Sequence, residues 1–199
     1  GKTYANFLVD PEANGPESMV LGGLCDIDPE VEAFCKETYP DTPFFTDYKD
    51  MIASGDVDAV ITTVPHYLHP EMAIYSIEKK MPVMVEKPAG VYNKQVREMN
   101  EFAAANPDVP FAIMFNQRTN SLYRQLKAIM DSGELGEMRR TNWIINSWWR
   151  PDSYYQQSAW RATWGGEGGG VVVNQAPHQL DLWQWICGIP TNVYAEVGF

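Results

Sequence analysis

Three things are scarce in this sequence, and each shortage argues against a class of protein. Thiols are few: Cys25, Cys35 and Cys187 are the only cysteines in 199 residues, with no paired spacing and no C-x-x-C. A disulfide framework is not the expectation; reduced thiols in a cytoplasmic protein are. Positive charge is also short, with 15 Lys and Arg against 26 Asp and Glu, a net charge of -11 and a pI near 4.6. Nucleic acid and anionic membrane surfaces are poor partners for such a chain. A phosphate-bearing cofactor stays open, because local backbone N–H groups hold it rather than net charge. Long apolar runs are missing as well. No stretch reaches the ~18 residues of a membrane span, and no signal-peptide pattern is visible.

What is present is a globular composition, 45% hydrophobic and 21% charged, long enough for one sizeable core or one and a half domains. Seven Trp and ten Tyr are many, and most of them lie after residue 140. Such aromatics line carbohydrate-binding clefts, or they fill a core.

Apolar runs over 19–25, 59–64, 82–86 and 110–115 predict strands. Between them, spacing and caps predict helices over 46–54 (Thr46 as cap, Gly55 as stop), 69–80 and 93–106 (Asn93 as cap). Strands that are apolar throughout and alternate with helices imply a doubly wound parallel sheet, covered on both faces, over residues 1–117. The pattern then changes. Leu122, Leu126, Ile129 and Met130 mark a helix ending near Gly133, and 138–149 reads as a long strand with Trp143, Ile145 and Ser147 on one face. A Gly-rich turn follows at 165–170, then a helix from His178 to Ile186 closed by Gly188, then a strand over 193–199. Residues 118–199 therefore read as part of an α+β domain with a mainly antiparallel sheet.

In a doubly wound sheet, ligands sit beyond the carboxyl ends of the strands. Asp26 falls there, where an acid accepts hydrogen bonds from a ribose diol and repels a 2′-phosphate; a solvated loop acid is the plainer reading. Thr63, Pro65 and His66 end another strand. Glu86, Lys87 and Pro88 end a third, where proline restricts the backbone next to a lysine. His66 and His69 form an H-x-x-H pair with no third ligand nearby, so no metal is expected. His178 and Asp181, spaced i, i+3, share a helix face: a base beside a carboxylate, or only a helix-terminal histidine with a nearby acid.

Four motifs, "VPHYLH" at 64–69, "EKP" at 86–88, "FNQR" at 115–118 and "GGGVVVNQAPHQLD" at 168–181, occur in order along the chain. In that combination the sequence resembles the Gfo/Idh/MocA oxidoreductases, related to glucose–fructose oxidoreductase and inositol dehydrogenase. The resemblance implies an N-terminal Rossmann-like dinucleotide-binding domain, a C-terminal domain built on a large open sheet that commonly mediates homo-oligomerisation, and a sugar, inositol or related polyol as substrate. It implies NAD as cofactor, with NADP possible and Asp26 favouring NAD. Lys87 is then the donor to the substrate oxygen and His178 the base that takes the hydroxyl proton. Asn174, Asp181, Trp160, Arg161 and Arg118 are the expected substrate residues. Gly1, Asp26, Thr63, Pro65, His66, His69, Glu86, Lys87 and Asn116 are the expected cofactor residues. An NAD-dependent glycoside hydrolase and a non-catalytic relative are the alternative readings.

Two departures stand out. Many family members carry Asp four residues before the histidine, where this chain has Asn174. The G-x-G-x-x-G loop is represented by Gly1 alone, with Tyr4 to Val9 as the helix behind it, and "DPEANGPES" at 10–18 reads as an insertion between Gly1 and Asp26. The chain is accordingly expected to be an internal piece of a longer protein, and by itself to bind dinucleotide poorly.

Overall fold

The computed structural model describes residues 1–10, 12, 15–146, 149–156, 159–196 and 198. It divides into two units, Gly1–Ile113 and Met114–Phe199.

The first unit opens with α1 (Lys2–Val9), headed by Gly1. Strand β1 (Leu24–Cys25) leads into α2 (Pro29–Thr38), and β2 (Phe44–Phe45) into α3 (Tyr48–Ser54). Then come β3 (Val60–Thr62), a 3-10 turn at His66–Leu68, α4 (His69–Glu78), β4 (Val83–Val85), α5 (Asn93–Ala105) and β5 (Phe111–Ile113). Among the described residues all pairing is parallel: β1 with β2, and separately β3–β4–β5. This is the parallel, helix-alternating architecture that the apolar strands imply.

Its details differ from the sequence expectations in instructive ways. The strand expected over 19–25 is paired only at Leu24–Cys25, because a strand is only as long as its ladder; Leu24 N–H bonds to the Pro43 carbonyl (2.9 Å) and Asp26 N–H to that of Phe45 (3.2 Å). Asp47, not Thr46, caps α3, its carboxylate accepting Lys49 N–H at 2.8 Å, while Gly55 closes the helix at φ 85° as expected. Tyr92 occupies the cap position of α5 and makes no side-chain cap bond, so Asn93 lies inside the helix. Helix α2 and strand β2 have no counterpart among the expected elements, although Asp28 caps α2 through Glu30 N–H and Pro29 fills its first turn.

The core explains why these elements hold. Ile77 of α4, Met99 of α5 and Val85 of β4 are fully buried, packed with Val60, Val83, Ile52 and Val109. A smaller cluster joins Ala5 of α1 to Cys35 of α2 and to Tyr39 at the end of that helix. Helix α1 is pinned further by the Tyr39 hydroxyl, which donates to Asn6 Oδ1, and by Lys2 Nζ, 3.7 Å from the centre of the Phe34 ring.

The second unit contains a 3-10 turn at Asn116–Thr119, then α6 (Ser121–Ser132), α7 (Asp152–Tyr155), α8 (Trp164–Glu167), α9 (Val171–Asn174) and α10 (Pro177–Cys187). Asn120 caps α6 and Gly133 ends it at φ 75°. The Gly-rich stretch is not simply a turn. Thr163 accepts Gly166 N–H, so the first half winds into α8, and Gly168 ends that helix at φ 73°. A side chain at 166 is excluded, since its Cβ would lie 2.1 Å from the Trp160 carbonyl oxygen.

Among the described residues, the strands expected over 138–149 and 193–199 are not formed. Their described residues, 138–146, 149, 193–196 and 198, pair with no other strand; positions 147, 148, 197 and 199 lie outside the described residues, as do 11, 13 and 14 of the expected insertion. Alternation sets which face a strand buries, but only a partner ladder makes it a strand. Side chains tether the 138–146 segment instead: Trp143 Nε1 donates to Gln179 Oε1 at 3.1 Å, and Thr141 Oγ1 lies 3.5 Å from Cys187 Sγ.

Candidate functional site

In the first unit the candidate residues gather where the parallel strands end. Gly1 heads α1 so closely packed that a Cβ on it would sit 3.3 Å from Thr63 Oγ1. The Tyr4 hydroxyl, in the first turn of α1, donates to Glu86 Oε1, so Gly1, Thr63 and Glu86 are brought together from three separate segments. Asp26, half-buried after β1, uses Oδ1 to accept Asp28 N–H at 3.0 Å. Thr63 and Pro65 are exposed beyond β3, whereas His66 is 4% exposed.

Lys87 follows β4 and is half-buried. Its two neighbours are both anchored. Glu86 N–H extends the ladder to the Thr62 carbonyl at 3.1 Å. The Glu86 carboxylate accepts the Tyr4 hydroxyl on Oε1 and the N–H of Lys87 on Oε2, the latter at 2.9 Å. On the other side, the Pro88 carbonyl lies 2.7 Å from His69 Nδ1. A carbonyl only accepts, so Nδ1 carries the proton. His69 is 1% exposed, and burial above all lowers its pKa, with the Pro88 carbonyl opposing and His66 adding to the shift. It is a neutral donor beneath the lysine turn.

Tyr4 is the residue here that motif spacing misses. Burial first, then the Glu86 carboxylate, holds its hydroxyl well above the usual tyrosine range, so it remains a donor. A different set of acids acts on Cys25, whose thiol is pushed up to about 11 by burial and then by Asp26, Asp47 and Asp50. Alkylation of Cys25 by iodoacetamide is expected to keep accelerating about tenfold per pH unit to beyond pH 10, because the thiolate is the nucleophile. A plateau near pH 9 in a peptide-mapped rate profile would show an unshifted thiol.

In the second unit, His178 is the second residue of α10 and half-buried, its ring edge-on to Phe115 at 6.2 Å. Asp181, one turn on, is engaged by Arg118 in a two-pronged pair, Nε to Oδ2 at 2.8 Å and Nη2 to Oδ1 at 2.5 Å. The Arg118 guanidinium also lies over Trp185, 5.5 Å from its centre. That pair ties the turn at Asn116–Thr119 to α10; Asn116 itself is exposed. Asn174 is 4% exposed and donates its amide to the carboxylate of Glu167, itself 5% exposed. Glu167 is a second residue that motif spacing misses, though it is the sole acid in the Gly-rich stretch. Arg161 donates to the Tyr154 hydroxyl at 2.7 Å and lies over the rings of Tyr154 (4.4 Å) and Trp160 (4.9 Å).

Residues 1–114 match the family model described as "Oxidoreductase family, NAD-binding Rossmann fold", and residues 123–199 match "GFO/IDH/MocA C-terminal domain". The chain belongs to the Gfo/Idh/MocA oxidoreductase family. Its first unit is the NAD-binding Rossmann fold of that family, and the gathered strand ends around Gly1 fit such a ligand. Among solved structures, myo-inositol 2-dehydrogenase from Lactobacillus plantarum is 28% identical, with a TM-score of 0.75 over 94% of this chain and 53% of that one. The WlbA dehydrogenase from Chromobacterium violaceum, in complex with NADH and UDP-GlcNAcA, is 31% identical, with a TM-score of 0.69 over 82% of this chain and 46% of that one. Inositol 2-dehydrogenase from Corynebacterium glutamicum is 22% identical over 90% of this chain and 50% of its own length. The chain thus spans about half the length of the relatives it matches. No helix among the described residues is long and apolar enough to cross a membrane.

Proposed function

We propose that the protein containing this chain is an NAD-dependent dehydrogenase of a secondary alcohol on a sugar, inositol or related polyol. The observation that carries this reading is the anchored lysine. A surface lysine needs no bonded neighbours on both sides, whereas Lys87 has them through Glu86 and Pro88. The names of the relatives support the substrate class.

Bound NAD supplies the hydride acceptor at its nicotinamide. The chain supplies the rest. Lys87 donates a hydrogen bond to the substrate oxygen and places positive charge where alkoxide character develops. His178 takes the hydroxyl proton, a task suited to an imidazole whose unperturbed pKa is ~6.5. Asp181 and Arg118 hold the helix bearing His178, and Trp160 and Arg161 offer an aromatic face and a donor to a polyol. Gly1 and the start of α1 hold pyrophosphate, with Thr63, Pro65 and His66 alongside. His69 serves from beneath, through Pro88.

Asp26 reads the ribose. The expected result for the full-length protein is tight binding of NADH and weak binding of NADPH, followed by energy transfer from tryptophan to the reduced nicotinamide. Asp26→Asn is expected to weaken NADH about tenfold, the scale of a lost charged hydrogen bond, and to narrow the gap to NADPH. A screen of polyols beginning with myo-inositol, read as NADH formation, tests the reaction. Absence of both binding and turnover would refute the proposal.

A further inference from the structure

We propose that Tyr4 is a positioning residue for Lys87: its hydroxyl, donated to Glu86, and His69, bonded to the Pro88 carbonyl, fix the backbone on the two sides of the lysine. This rests on the reading of Lys87 as the donor to substrate.

The chain of contacts is short. Lys87 N–H needs an acceptor at the end of β4 and finds it in Glu86 Oε2. A half-buried carboxylate one residue away accepts usefully only if its own rotamer is fixed. The Tyr4 hydroxyl fixes it, across 82 residues of sequence, by occupying Oε1. Tyr4 in turn lies in the first turn of α1, beside buried Ala5, on a helix held by Asn6–Tyr39 and Lys2–Phe34. On the far side, His69 is buried at the start of α4 and holds Pro88. The helix headed by Gly1 and the lysine turn therefore form one hydrogen-bonded unit. Without the Tyr4 hydroxyl, the Glu86 carboxylate is free to turn to water, Lys87 N–H loses its acceptor, and the side chain samples more directions. A site held by such outer partners loses aim before it loses fold.

The test is competitive acetylation of the full-length protein, saturated with NADH, by a trace of acetic anhydride. Peptide mapping gives the labelling of Lys87 relative to Lys94, whose side chain is 86% exposed. Tyr4→Phe and Glu86→Gln are each expected to raise that ratio by about threefold or more, as local opening frees the amine. The double variant is expected to go no further than the larger single, since both break one unit. Lys79 and Lys80, at the end of α4, report general loosening and are expected to stay constant. An unchanged ratio in the single variants, a parallel rise at Lys79 and Lys80, or additive effects would each overturn the inference. If Tyr4→Phe fails to fold, the ratio in Glu86→Gln decides alone. Turnover of Lys87→Ala tests the underlying reading separately: if it loses activity while the labelling ratios do not move, only the role of Tyr4 falls.

Discussion

Lys87→Ala in the full-length protein is expected to lower kcat by about 10²-fold or more while leaving the NADH dissociation constant nearly unchanged. The split follows from where each interaction is made. The proposed lysine contact is with the substrate oxygen and strengthens as negative charge develops there, so its loss appears in the transition state. That fold-change corresponds to about 2.7 kcal/mol. The cofactor contacts proposed at Gly1, Thr63 and Asp26 do not involve the amine. Steady-state kinetics beside a fluorescence titration checks both halves. Equal turnover in wild type and variant would remove Lys87 from the mechanism, and a large loss of NADH affinity would place it with the cofactor residues instead, the second of the two roles the resemblance implies for it. Lys87→Arg is a useful companion, because it keeps the charge but changes its shape and reach.

The largest expected effect on stability comes from Ile77→Ala, at about 2–5 kcal/mol. Ile77 is fully buried on the inner side of α4, in the cluster with Val83, Val85 and Met99. Truncation loses the transfer free energy of three carbons and leaves a void that helices on a parallel sheet close only in part. Because α4 carries His69 at its other end, the packing that Ile77 provides also supports the Pro88 contact. The effect is nevertheless predicted on the folded fraction, not on the chemistry. Urea unfolding of the full-length protein, followed by a probe in this domain, is expected to shift to a lower midpoint, with kcat per NADH-binding site close to wild type. A loss below about 1 kcal/mol, the size of an average substitution, would mean that the core around α4 is loosely packed.

The parallel-sheet half was legible because its signals are local. Apolar runs such as 59–64 and 82–86 are short and end at Pro65 and at Lys87, and the helix between them carries a buried stripe at helical spacing. The ends were less legible, since caps compete. Asp47 displaced Thr46 by one residue, and no side chain caps α5. The later half misled where alternation in 138–149 suggested a strand, because strand formation depends on a partner that alternation does not identify.

The motifs, their order and the family they belong to were properties of the sequence itself: "EKP", "GGGVVVNQAPHQLD" and Asp26 after an apolar run. Only the tertiary structure decided what each polar group bonds. It set Asp181 against Arg118, Asn174 against Glu167, His69 beneath Pro88 and Tyr4 against Glu86. Periodicity is a repeat along one chain segment and is therefore readable locally. A hydrogen bond between residues 4 and 86 requires two segments to meet, and that depends on how α1 packs against the ends of the strands.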